Sequence, residues 1–110
     1  METLSSEMAE MKAKVGDASA FLKTLSNPDR LLIACALVDG ERSVRALEDT
    51  LGIRQPGLSQ QIAGLRDAGL ISGRKEGKQV FYRLADPRVQ TFITTMHQLF
   101  CKPQPTGGPR

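Results

Sequence analysis

The sequence predicts a mainly α-helical fold with one small β-hairpin, on three observations. Apolar residues recur at three- and four-residue steps through both the first and the last thirds of the chain. Two short helical segments are separated by only Gly52-Ile53-Arg54. Directly after them, β-branched and aromatic residues flank a glycine turn.

Taken in order, Met8, Met11, Val15, Ala18, Leu22 and Leu25 share one face of a first helix, expected from about Ser6 to Thr24. Asn27-Pro28 supplies an N-cap and a proline at the first helical position of the second helix. That helix runs through LLIACALV and is expected to stop at Gly40. It is apolar on nearly every side, which predicts a central buried helix carrying Cys35. Ser43 caps a third helix, VRALEDTL, ending at Gly52. The fourth begins at Gln55-Pro56, with proline expected at its first position, and ends near Gly69. Two short helices joined by a tight glycine-containing turn form a helix-turn-helix. Ile71 to Lys75 and Gln79 to Leu84, around Glu76-Gly77-Lys78, read as a two-stranded hairpin, so the fold is a winged helix-turn-helix. A last helix starts near Asp86-Pro87 and carries Val89, Phe92, Ile93, Met96 and Phe100 on one face. Residues 1–102 are thus one domain, and the Pro- and Gly-rich stretch 103–110 is expected to be a flexible tail.

A chain of 110 residues buries limited apolar surface as a monomer, which favours added burial against a partner subunit. The net charge of +3 is unevenly spread. Residues 1–53 carry −3, whereas 54–88 carry +4, a local basic patch of the kind a polyanion needs. The first residues lack the apolar stretch of a secretory signal, and the longest apolar run, Leu31 to Val38, is too short to span a bilayer. A cytoplasmic location is expected. No paired catalytic carboxylates, phosphate-binding glycine loop or nucleophile–base motif appears, so neither an enzyme nor a bound cofactor is expected.

In the fourth helix Leu58, Ile62 and Leu65 share the inward face. The opposite face holds Pro56, Gln60, Ala63, Gly64 and Asp67, with Ser59 on its flank. Small side chains let a helix sit deep in the major groove of double-stranded DNA, where Gln pairs with adenine and Ser with either base type. Gly64 weakens a helix unless something must approach closely, and DNA is the expected visitor. Thr50, Arg54, Gln55 and Arg66 lie at the margins, where phosphate contacts set the register. The hairpin adds Arg74, Lys75 and Lys78 as a basic wing.

The phrases LSNPDRL, QPGLSQQIAGLRDAGLI and VFYRL resemble those of the ArsR-type winged-helix repressors, across nearly the whole fold. The resemblance implies five helices and a two-stranded wing. It also implies a homodimer through the first and last helices on a near-palindromic operator. Two metal-sensing patterns of that family are missing here: the third helix has no Cys-x-Cys box, and His97 is the only histidine, so no metal site is expected. Cys35 and Cys101, 66 positions apart, are placed as in the persulfide-sensing SqrR- and BigR-like branch. That likeness implies reactive sulfur species as the inducer, bridging the two thiols and releasing DNA. Two buried, inert thiols are the plainer alternative. A general thiol-oxidation sensor and a metal- or haem-responsive repressor of the same fold are the others. Apolar surroundings are expected to raise the Cys35 pKa, which disfavours peroxide as the signal.

Overall fold

Local capping decides where most of the helices begin in the computed structural model, which describes residues 2–101, with side chains from residue 5 onward. Among these residues the order is α1 (Glu2–Leu25), α2 (Pro28–Leu37), β1 (Arg42–Ser43), α3 (Val44–Leu51), α4 (Gly57–Asp67), β2 (Ile71–Glu76), β3 (Gln79–Leu84) and α5 (Pro87–Phe100). Asn27 is extended, and its Oδ1 accepts the backbone N–H groups of Asp29 at 2.9 Å and Arg30 at 3.1 Å. Ser43 Oγ does the same for Ala46, and Asp86 Oδ1 for Arg88. These side chains satisfy amides that have no partner within their own helix. Gly52 closes α3 in the left-handed region at φ 71°, a conformation that costs a residue with a Cβ.

Three boundaries differ from the sequence expectation, the first being the start of α1 at Glu2 rather than near Ser6. Pro56 is the cap of α4 rather than its first residue, and it has no side-chain acceptor to offer. The preceding residue takes over: Gln55 Oε1 accepts from the Ser59 N–H at 3.1 Å and from Ser59 Oγ at 2.7 Å. At its other end α2 stops at Leu37, and Gly40 lies beyond it in a turn, its N–H donating to Leu37 O.

The hairpin gains a third strand. The sheet order is β1-β3-β2, both pairs antiparallel, with Arg42 opposite Tyr82 and Ser43 opposite Phe81. Two residues are too few to show a strand periodicity, so this edge was not readable in advance.

The core gathers one face of every helix around α2. Ile33, Ala34 and Leu37 of α2 pack with Leu47, Leu58, Ile62, Leu65, Tyr82, Val89 and Ile93. The expectation of an all-round buried α2 needs correction, because Leu32 and Cys35 on its other side are exposed. The chain supplies apolar cover for one flank only. α1 likewise buries Leu25 in its last turn but leaves Met8, Met11, Val15 and Leu22 each more than half exposed. With 24 residues this helix is about 36 Å long. No helix among the described residues is long and apolar enough to cross a membrane. The segment 103–110, expected to be a flexible tail, lies outside the described residues.

Candidate nucleic-acid interface and thiol groove

α3, the Gly52 turn and α4 form the helix-turn-helix, and α4 is held by its inward Leu58, Ile62 and Leu65. Away from the core, Arg54, Gln55, Pro56, Ser59, Gln60, Arg66 and Asp67 are exposed, and Thr50 is exposed at the end of α3. Ala63 and Gly64 are half-buried. Gln55 and Ser59 spend part of their hydrogen-bonding capacity on each other and on the helix end. Arg66 makes only a loose pair with Asp67, at 3.7 Å.

Gly64 has an internal reason that the sequence did not reveal. A Cβ at this position would stand 2.6 Å from Arg30 Nη2 and 2.8 Å from its Cζ and Nε. The group that closely approaches the glycine is therefore a guanidinium from α2, and the inference of a close approach by DNA is not needed to explain it. Arg30 Nε donates to Gln61 Oε1 at 2.9 Å and Nη1 to Thr24 O at 3.5 Å. Neither Arg30 nor Gln61 stood out in the sequence, since their partners are remote in the chain and no local pattern marks them.

Within the wing, one of the basic residues also has partners inside the fold. Arg74 grips Glu41, with Nε 3.0 Å from Oε2 and Nη2 2.8 Å from Oε1, and its Nη1 contacts Glu76. Its guanidinium carbon lies 4.7 Å from the centre of the Phe81 ring. The pairing holds the Glu41 carboxyl below its usual 4.5 and pushes the Arg74 pKa up. Arg74 is thus engaged within the fold, whereas Lys75 and Lys78 are exposed and form no ion pair among the described residues.

Cys35 and Cys101 both line one open groove of about 520 Å³ between α2 and α5. Leu31, Val38, Ile93, Met96 and Phe100 make its walls mostly apolar, with Asp39 and His97 as the titratable neighbours. Cys101 caps α5, its N–H donating to His97 O at 2.8 Å. Both thiols are exposed. Partial burial in the groove pushes the Cys35 pKa above 9.0, and the nearby Cys101 adds to the rise as a like charge.

Residues 27–72 match the family described as bacterial regulatory protein, arsR family. The chain is 46% identical over 94 residues to the biofilm growth-associated repressor of Agrobacterium fabrum, covering 86% of this chain and 80% of that one. Among solved structures it is similar to the transcriptional repressor BigR from Xylella fastidiosa, with a TM-score of 0.84, 40% identity, and coverage of 86% and 97%. It is also similar to Mb0332 from Mycobacterium bovis, described as a homodimeric winged helix-turn-helix DNA-binding domain, with a TM-score of 0.68, 31% identity, and coverage of 81% and 83%.

Proposed function

This chain belongs to the arsR family of bacterial regulatory proteins, and on that premise we propose that it is a dimeric, DNA-binding transcriptional repressor released by reactive sulfur species. The observation that carries the sensing part is the shared groove: two thiols from separate helices open onto one mostly apolar cleft. The DNA-binding part is supported by the exposed Gln60, Arg54 and Arg66 on and beside α4, with Lys75 and Lys78 on the neighbouring wing. Gln55, Pro56 and Ser59 shape the start of that helix, and Gly64 seats it, so their contribution to DNA binding includes holding the reading surface. A partner subunit is supported by the uncovered apolar stripe of α1 and by Leu99 and Phe100 at the end of α5. In a two-fold dimer the recognition helices read half-sites about one turn of DNA apart.

The bridging chemistry balances with a trisulfide donor. Each thiolate attacks a donor sulfur, the two Cys S–H bonds and two donor S–S bonds break, and two new S–S bonds form. The products are a Cys35–S–Cys101 trisulfide and two reduced donor thiols, or two molecules of hydrogen sulfide when the donor is hydrogen trisulfide. The protein is oxidised and the donor reduced. Such a bridge ties α2 to α5, and through α2 the change reaches α4.

The test pairs intact-mass spectrometry with DNA-binding titration before and after exposure to an organic trisulfide. The expected product gains one sulfur, loses two hydrogens and binds DNA more weakly, while Cys35→Ser and Cys101→Ser variants stay bound. Unchanged mass and binding would remove the thiol input. Equal bridging by hydrogen peroxide at matched dose would favour a general dithiol oxidation sensor.

A further inference from the structure

Arg30 ties the recognition helix to the two helices behind it, a role that neither the thiol groove nor the basic wing requires. It is the third residue of α2, and its own N–H is held by the Asn27 cap at 3.1 Å. From that fixed base the side chain reaches Gln61 on α4 and the Thr24 carbonyl in the last turn of α1. The guanidinium then lies flat against Gly64, in the space that any larger residue would fill. Both acceptors are neutral, and Arg30 forms no ion pair among the described residues. What it supplies is therefore directional bonding from a rigid planar fork rather than charge neutralisation. Base readout tolerates displacements of about half an ångström, so the seat of α4 matters as much as its surface.

We infer that Arg30 is a positioning residue for DNA recognition, setting the placement of α4 through Gln61 and Gly64 without touching DNA. The inference rests on the reading of α4 as the DNA-contacting helix.

Arg30→Met removes the fork. Gly64→Ala displaces it, because the new methyl overlaps the mobile end of the arginine side chain. Alanine also favours helix over glycine, which offsets part of the lost contact, so this variant is expected to remain folded. The probe is a duplex selected by the wild-type protein from a randomised library, with a scrambled duplex as control. Each single variant is expected to weaken binding to the selected duplex by about tenfold, as a recognition helix shifted from its seat loses part of its base contacts. The double variant is expected to be no worse than either single one, since both changes remove the same contact. The salt dependence of binding should keep its slope. Additive losses would mean that the methyl added by Gly64→Ala clashes with DNA by itself, and a slope reduced by about one would make Arg30 a direct phosphate contact; either result overturns the proposal. So does binding by both variants at wild-type strength. A wild-type chain that selects no duplex would instead bring down the DNA-binding reading, and this inference with it.

Discussion

Arg74 reads from the sequence as a DNA contact, and in the structure it is also held by a partner of its own chain, Glu41. Their pairing lowers the pKa of Glu41 in the folded state below its usual 4.5. A group whose folded pKa is depressed adds stability above its unfolded value, and that contribution disappears as pH falls through the lowered one. Glu41→Gln is therefore expected to melt below the wild type near neutral pH, with the difference closing in acid as pH falls below the usual 4.5 and through the lowered value. Thermal melts across that range check it, and a constant difference would assign the effect to packing instead. Gly64 teaches the same lesson. Its weakness as a helix former was legible, but the group it accommodates was not, because Arg30 lies 34 positions away. Cys35 was misplaced for a related reason: its neighbours in sequence are apolar, yet the side of α2 that bears it has no cover within this chain.

Elements were more legible than their partners. Asn27-Pro28, Ser43, Gly52 and Asp86-Pro87 mark helix ends through chemistry that acts within four residues, and the structure places caps at each. Where the cap came from an unusual place, as with Gln55 standing in for Pro56, the boundary moved by one residue. Strand β1 escaped notice because only its pairing with β3 defines it. The caps also give a direct stability test. Asn27→Ala frees the amides of Asp29 and Arg30 and is expected to cost about 1 kcal/mol, measured by urea unfolding. Asn27→Asp should recover most of the loss, and a neutral alanine variant would show that water serves these amides equally well.

Over the whole molecule, α1 is the element least accounted for by the chain alone. Met8, Met11 and Val15 are exposed along a helix whose burial comes at its last turn. Replacing Met11 and Val15 by Glu is expected to convert a dimer into a folded monomer with weaker DNA binding, read by sedimentation and circular dichroism. A doubly substituted chain that remains dimeric would place the interface elsewhere. The wing, by contrast, stands ready before any ligand arrives. Arg74 stacks on Phe81, holds Glu76 beside it on β2, and fastens the hairpin to Glu41 just ahead of β1. Ordering a mobile hairpin on a surface costs roughly 1–2 kcal/mol of backbone entropy per residue. A hairpin latched in this way has already lost that freedom, so its docking is expected to be a rigid-body event, with a heat-capacity change matching the area covered and no added contribution from folding on contact.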